Sequence, residues 1–280
     1  MAAGTPRIRP LTPAEVDIAV EWAAREGWNP GLADARAFLA QDAGAFRGLF
    51  LDDELAATLS ATTYAGGFAF VGFYICRPDL RGRGLGYALW QETFAGLAGT
   101  VGLDGVLAQQ ENYARSGFVL AHRNIRYGGP APATPPDARA TRITPAHYPQ
   151  VAALDRRCFG FARPDFLTAW LDPPHGRALM LAEDDLVKGY GVVRRCREGH
   201  KIGPLFATDA RSAEALFGAL AAEAQGGPVF LDVPEPNAAA RALADAAGLA
   251  PVFETARMYR GPAPDLPLQD IFGITTFELG

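Results

Sequence analysis

The chain has little of what several functional classes require. Only three of its 280 residues are cysteine: Cys76, Cys158 and Cys196. They are far apart and form no CxxC pair. That argues against a disulfide framework and a cysteine zinc site. The four histidines, His122, His147, His175 and His200, show no HxxxH spacing, so no metal is expected. Positive charge is in deficit, with 26 Lys and Arg against 31 Asp and Glu. Nucleic acid and an anionic membrane surface are therefore not expected partners. No apolar run approaches the ~20 residues of a membrane helix. The longest, Gly67 to Cys76, suits a buried strand. The opening residues, Met1 to Arg7, lack the apolar segment of a secretory signal. Free thiols and no leader imply a cytoplasmic protein.

What is present suits a folded protein with a sizeable core, because 49% of the residues are hydrophobic and 20% charged. The length allows one large domain or two smaller ones. The Pro/Ala stretch from Gly128 to Pro136 has the composition of a semi-rigid linker. The expected division is 1–128, a linker at 129–139, and 140–280.

The two parts look like copies. Arg7-Ile8-Arg9-Pro10 through Val16 resembles Arg142-Ile143-Thr144-Pro145 through Val151. Ala114-Arg115-Ser116-Gly117-Phe118 resembles the stretch Ala244 to Leu249, and Tyr127 matches Tyr259. The offsets are 135 (142 − 7), 131 (248 − 117) and 132 (259 − 127). Three ordered matches at nearly constant offset indicate a tandem repeat.

Within the first copy, Thr12 and Glu15 form a capping-box pattern before a helix with Val16, Ala19, Val20 and Ala23 on one face. Strands are expected at Ile8–Leu11, Phe46–Leu51, Leu55–Thr62, Phe68–Cys76, Gly105–Gln109 and Phe118–Tyr127. Further helices are expected at Ala33–Gln41, Leu85–Leu97 and Asn112–Ser116. The order βααβββαβαβ defines a mixed α/β (α+β) layer.

The most informative segment runs from Cys76 through Arg77-Pro78-Asp79-Leu80-Arg81-Gly82-Arg83-Gly84-Leu85-Gly86 to Leu89. A buried strand enters a basic glycine-rich turn that opens directly into a helix. Glycines 82, 84 and 86 admit a ligand close to the backbone, while the helix N-terminus, Arg81 and Arg83 supply positive charge. Such a turn suits a pyrophosphate. The dinucleotide fingerprint fails, because its third glycine falls on Leu89.

Arg81-x-x-Gly84-x-Gly86 resembles the acetyl-CoA signature of the GNAT N-acetyltransferase superfamily. Tyr113-x-x-x-Gly117-Phe118 is similar to a second GNAT motif, and the element order matches. The resemblance covers residues 5–128 and implies two tandem GNAT-like acyl-CoA N-acyltransferase domains. It implies acetyl-CoA as cosubstrate, with its pantetheine along Tyr74, Ile75 and Cys76 and its pyrophosphate on Arg81, Gly82, Arg83, Gly84, Leu85 and Gly86. Backbone N–H groups near Ile75 and Cys76 would polarise the thioester carbonyl. Tyr113 would protonate the departing thiolate. Asn112 either hydrogen-bonds the cofactor or caps its helix. For the base, Glu111, Asp104, Glu54 and a water chain stay open. Cys76 is expected to be a structural thiol, not a nucleophile.

In the second copy an offset of 130 sets Ser212, Glu214 and Leu216 against Gly82, Gly84 and Gly86. An offset of 131 sets Ala244 against Tyr113. This copy resembles a degenerate GNAT domain. Lys201 to Phe206 and the tail Ile271 to Gly280 are similar to the C-terminal domain of a bacterial tandem-GNAT family. Trp28, Tyr64, Gln109, Gln110, Asn124, Arg126, Asp155, Glu183 and Glu278 are candidate walls of an acceptor cleft between the domains. The expected partner is an amine-bearing small molecule or peptide, for a monomer or homodimer. A non-catalytic acyl-CoA sensor is the alternative.

Overall fold

The computed structural model describes residues 6–133 and 137–280. Residues 1–5, which carry part of the no-leader expectation, and residues 134–136 of the expected linker lie outside the described residues. In the first copy the elements are β1 (Pro6–Pro10), α1 (Pro13–Arg25), α2 (Asp34–Gln41), β2 (Phe46–Leu51), β3 (Glu54–Tyr64), β4 (Phe68–Cys76), α3 (Leu85–Ala95), β5 (Thr100–Val106), α4 (Gln110–Arg115) and β6 (Val119–Pro130). The second repeats that order with β7 (Thr141–Arg142), α5 (Tyr148–Phe159), α6 (Pro164–Trp170), β8 (Gly176–Glu183), β9 (Leu186–Arg195), β10 (His200–Ala207), α7 (Ala210–Ala221), β11 (Pro228–Pro234), α8 (Ala238–Ala246) and β12 (Ala250–Arg260). A short β13 (Ile271–Gly273) follows.

Local chemistry explains the shared starts and turns. The Thr12–Glu15 capping box forms, with the Thr12 amide donating to Glu15 Oε2 at 2.8 Å. Arg9 also binds that carboxylate and holds the Glu15 carboxyl down at about 2. His147, 135 residues on (147 − 12), holds the N-cap position of α5 but makes no side-chain hydrogen bond to the helix. The β2–β3 and β8–β9 hairpins turn on Asp52-Asp53 and Asp184-Asp185, all four at positive φ. Such paired positive φ values match the twist of a tight hairpin.

All twelve long-path strands form one sheet in the order β1-β2-β3-β4-β5-β12-β6-β11-β10-β9-β8-β7. The last strand of each copy is thus exchanged. β12 pairs with β5, β6 pairs with β11, and β6 and β12 pair with each other. Their ladder carries one bulge on each strand, at Ala121 and Val252. The shift between the bulges is 131 residues (252 − 121), and Asn124 faces its own equivalent Thr255. A pseudo-two-fold axis therefore passes between Asn124 and Thr255. Tyr127 and Tyr259 are one residue out of equivalence.

Helices α1, α2, α5 and α6 share one apolar layer across both copies, with Phe38 stacked on Trp170 at 6.1 Å. On other parts of the sheet α3 and α4 pack one core, and α7 and α8 another.

Two expected elements move. The strand expected at Gly105–Gln109 is β5, Thr100–Val106, and Leu107–Gln109 is a short 3-10 turn. Gly102 and Gly105 sit inside this strand because aromatic rings fill the space of their missing side chains. A Cβ at 102 would meet Phe70 at 2.9 Å, and one at 105 would meet Tyr113 at 2.3 Å. The last strand extends from Tyr127 to Pro130, so Gly129 and Pro130 are paired with Val229 and Pro228.

Two equivalent buried ion pairs tie the exchange. Arg257 of β12 grips Asp104 of β5 at 2.8 and 2.6 Å, and Arg126 of β6 grips Asp232 of β11 at 2.6 and 2.8 Å. Removing one partner leaves a buried, uncompensated charge. Arg257→Ala is expected to cost about 3–5 kcal/mol in urea unfolding, and the double variant Asp104→Asn/Arg257→Met markedly less.

Candidate functional site

β4 and β5 run parallel and pair only from Phe68/Thr100 to Val71/Leu103. Beyond that point they part. The opening is a cavity of about 450 Å³ lined by Gly72 to Cys76 on one side and Asp104 to Val106 on the other. The β3–β4 register shifts at the same place, where Phe73 takes a φ of 47°. The Phe73 carbonyl accepts from the buried Thr58 hydroxyl at 2.8 Å. Arg77 N–H donates to Ala56. By the alternation of an antiparallel ladder, Ile75 also turns its N–H toward β3. Tyr74 and Cys76 turn theirs toward the cavity.

At the foot of β4 the loop is braced by Arg77, which binds Asp79 at 2.8 Å and Glu54 at 3.0 Å. Arg81 donates to the Cys76 carbonyl at 3.0 Å and pairs with Glu26 at the end of α1. Gly82 and Gly84 both lie at φ 77° with open space where a Cβ would stand. Gly84 caps α3 without a side chain, so no carboxylate or hydroxyl occupies the helix N-terminus. Gly86 is a different case: a Cβ there would reach the Tyr74 hydroxyl at 3.0 Å. The loop thus presents unfilled positive potential, which fits the diphosphate of a CoA ester.

The second copy lacks this loop. Eight residues separate β4 from α3 (77–84), but only Thr208 and Asp209 separate β10 from α7. The residue-for-residue match of Gly82, Gly84 and Gly86 with Ser212, Glu214 and Leu216 is therefore corrected. The loop is shortened rather than substituted, and those three residues lie within α7. Asp209 caps α7, accepting from the Ser212 amide at 2.8 Å. Its carboxylate sits where an anion would bind. Gly117 and Gly248 end their helices alike, both at positive φ. Phe118 N–H donates to Tyr113 at 3.1 Å and Leu249 N–H to Ala244 at 3.0 Å, which confirms Ala244 as the equivalent of Tyr113.

Of the sequence-expected site residues, Tyr74, Ile75, Cys76, Arg81 and Tyr113 line the cavity. Gly82, Arg83, Gly84, Leu85 and Gly86 form the adjoining loop and helix start. Asn112 is exposed, and its amide donates to Gln109 at 2.6 Å. It does not cap the helix, which begins at Gln110 with Gln109 as cap. The Tyr113 ring packs beside Trp90, with centroids 5.7 Å apart. Burial raises its hydroxyl above the ordinary tyrosine value. Burial also raises the Cys76 thiol, although Arg81 and the Gly86 amide oppose this.

The carboxylates considered as bases fare differently. Glu54 is held by Arg77, and Glu111 is exposed beside Arg115. Asp104 reaches the cavity but is locked to Arg257 and Asn124. Among the proposed cleft residues Trp28, Gln109 and Glu278 line the cavity. Tyr64 instead donates to Leu279 O at 3.0 Å, Arg126 is bound to Asp232, Asp155 is bound to Arg163, and Glu183 faces Arg139 on the surface. Sequence reasoning missed Glu26, Phe253, Thr255 and Phe277 as walls. No signal marked them: Glu26 reaches the site through its pairing with Arg81, and Phe253, Thr255 and Phe277 come only through the strand exchange and the tail.

This architecture, with a splayed parallel pair above an uncapped glycine-rich helix start, defines an acyl-CoA-dependent transferase fold. Family models agree: the Acetyltransferase (GNAT) family model matches residues 15–118, and an Acetyltransferase (GNAT) domain model matches residues 151–273. A relative from Pseudoalteromonas sp. (strain SANK 73390), named Holothin acyltransferase, is 32% identical over 97% of this chain and 94% of its own. Among solved structures, a Pyrococcus horikoshii protein provisionally called an acetyltransferase superposes with TM-score 0.82 at 22% identity, covering 98% of this chain and 96% of its own. A tandem GNAT protein from the clavulanic acid biosynthesis pathway superposes with TM-score 0.64 at 17% identity, covering 92% and 100%. The chain belongs to the GNAT family, as a tandem two-domain acyltransferase. No helix among the described residues is long and apolar enough to cross a membrane.

Gly105→Ala should push the Tyr113 ring off β5, because the added methyl would sit 2.3 Å from it. The expected loss is about 1–3 kcal/mol, with an altered near-UV circular dichroism signal from the Trp90–Tyr113 pair.

Proposed function

We propose that the protein transfers an acetyl group from acetyl-CoA directly to a primary amine of a small molecule or peptide in the cytoplasm. The catalytic unit is assigned to residues 1–128, joined through 129–139 to a non-catalytic 140–280. The observation that carries this is the cavity between β4 and β5, opening beside the Arg81–Gly86 turn with Tyr113 on its wall. Tyr74, Ile75 and Cys76 would run along the acyl-pantetheine arm. Arg81, Gly82, Arg83, Gly84, Leu85 and Gly86 would hold the diphosphate. Asn112, exposed one residue before Tyr113, would meet the outer part of the cofactor. The Cys76 amide, turned toward the cavity, is a donor for the thioester oxygen, whereas the Ile75 amide is directed to β3.

Acetyl-CoA supplies an activated acyl carbon. The acceptor nitrogen forms the C–N bond, the C–S bond breaks, and the electron pair leaves on sulfur. The Tyr113 hydroxyl, kept protonated by burial, gives its proton to that thiolate. The neutral amine nitrogen gives up one proton to solvent as the C–N bond forms, and the Tyr113 phenolate regains one from solvent, so mass and charge balance to an amide and free CoA. Positioning of the two reactants accounts for most of the acceleration. The Holothin acyltransferase name supports acyl transfer here, and holothin belongs in any acceptor screen.

Thiol release measured over polyamines, aminoglycosides, amino acids, peptides and holothin tests this proposal. Turnover with at least one amine is expected. Tight acetyl-CoA binding without turnover of any acceptor would favour the sensor alternative. Tyr113→Phe keeps the ring and removes the proton, so kcat should fall about 10²–10⁴-fold with acetyl-CoA affinity unchanged. Gly84→Glu puts a side chain at a positive-φ cap and an acid beside the diphosphate. Calorimetric acetyl-CoA affinity should fall at least about tenfold, or ~1.4 kcal/mol.

A further inference from the structure

The tail from Ile271 to Gly280 is buried along its whole length. β13 pairs with β10 at Leu205 and Phe206, and Ile274 N–H donates to Asp232 O on β11 at 2.9 Å. β10 and β11 themselves pair only from His200 to Ile202. The tail therefore fills the splay of the second domain. By the 131-residue shift, Leu205 and Phe206 correspond to Tyr74 and Ile75, the edge along which the first domain would take an acyl-pantetheine.

Having filled one cleft, the tail crosses to the other. A Cβ on Gly203 would meet Thr275 O at 2.5 Å, and a Cβ on Gly72, its equivalent, would meet Glu278 O at 2.3 Å. Both glycines admit the tail backbone. Phe277 and Glu278 then become walls of the first cavity, beside Trp28, Phe253 and Thr255. Trp28, Phe253 and Phe277 belong to the layer of α1 and α2, whereas Trp90 and Tyr113 belong to the layer of α3. The cavity thus passes from one face of the sheet to the other, with a separate aromatic end on the α1 side.

Three carboxylates line this cavity. Glu26 is paired with Arg81, and Asp104 is locked to Arg257 and Asn124. Glu278 is 3% exposed, and its Oε1 is buried with no hydrogen-bond partner among the described residues. Lys201 on β10 and Arg126 on β6 pull its carboxyl down, while Asp34 on α2 and Asp232 on β11 push it up. Burial outweighs the cations and raises it above the ordinary glutamate value.

We propose that the α1-side end of the cavity is a subsite for a small, flat, singly charged amine, with Glu278 receiving its ammonium group and then its proton. This rests on the acyl-transfer proposal above and names its acceptor class. Glu278 carries one negative charge with its Oε1 unpartnered, and Lys201 and Arg126 already stand in its surroundings, so it compensates no more than one further cation. A polyamine or aminoglycoside would bring further charges that Trp28, Phe253 and Phe277 cannot solvate. Those rings favour a planar apolar body and a nearby cation. Glu278 first takes a proton from the ammonium, which frees the nitrogen lone pair for attack. As the C–N bond forms the nitrogen sheds a second proton to solvent, Tyr113 supplies the proton for sulfur, and Glu278 and Tyr113 return to their starting states by exchange with water.

Benzylamine, glucosamine and spermidine are the probes, each measured with acetyl-CoA for thiol release and alone by calorimetry. Benzylamine should be the best acceptor by at least about tenfold in kcat/KM. Glu278→Gln should lower that value about 10²-fold or more and weaken benzylamine binding, leaving acetyl-CoA affinity unchanged. The wild-type pH profile should contain an acid limb that does not move when the acceptor amine is changed, and Glu278→Gln should lack it. Glu278→Asp should recover part of the rate. Better turnover of spermidine or glucosamine, absence of benzylamine binding, or a Glu278→Gln enzyme with wild-type kinetics would each overturn the subsite. If the wild type binds benzylamine through Glu278 but does not bind acetyl-CoA, the donor assignment fails while the subsite stands.

Discussion

Everything distinctive about this chain follows from the exchange of β6 and β12. Each strand leaves its own copy and pairs with the penultimate strand of the other, so neither half can close its sheet alone. The exchange places Asn124 opposite Thr255 on the pseudo-axis and makes Asp104–Arg257 and Asp232–Arg126 equivalent bonds. Burying four charges is costly unless each is paired with good geometry. Here each arginine meets its carboxylate with two nitrogens. The ion pairs act as register keys: slipping β12 by one residue would turn Arg257 to the opposite face of the sheet.

The symmetry of the frame makes its departures informative. Both copies keep the Asp-Asp hairpin and the glycine-ended short helix. They differ in the strand-to-helix loop and in what fills the splay. The first copy has an eight-residue loop with an uncapped helix start. The second has two residues and an aspartate cap that satisfies the same amides internally. An anion and the Asp209 carboxylate would compete for the same donors, so the shortened loop and the internal cap of α7 go together.

Much of the first domain was legible because its signals are local. A capping box, an Arg-x-x-Gly-x-Gly turn and a glycine after a short helix each act within a few residues. β5 was misplaced because glycine inside a strand reads as a turn, and only the Phe70, Tyr259 and Tyr113 rings explain it. The loop register failed because a constant offset hides a six-residue shortening between two well-matched elements. The exchange was invisible for a stronger reason. An antiparallel ladder demands the same alternation whichever copy supplies the strand, so β6 and β12 look alike in either pairing. Glu278 appeared only as one of several acids. Its distinction is a missing partner, which no sequence pattern records.

The tail joins these themes into one constraint. In the second domain it lies along Leu205 and Phe206, the edge equivalent to Tyr74 and Ile75, and Gly203 and Gly72 let the same segment pass both clefts at backbone contact. If the tail left the second cleft to admit a cofactor, Phe277 and Glu278 would leave the first. The second domain therefore cannot regain a ligand site of its own without dismantling a wall of its neighbour's. Loss of one cleft and completion of the other are the same structural event. That is the physical reason for a duplicated fold to retain a copy without a cofactor loop: its sheet supplies β12 and its filled cleft anchors the tail.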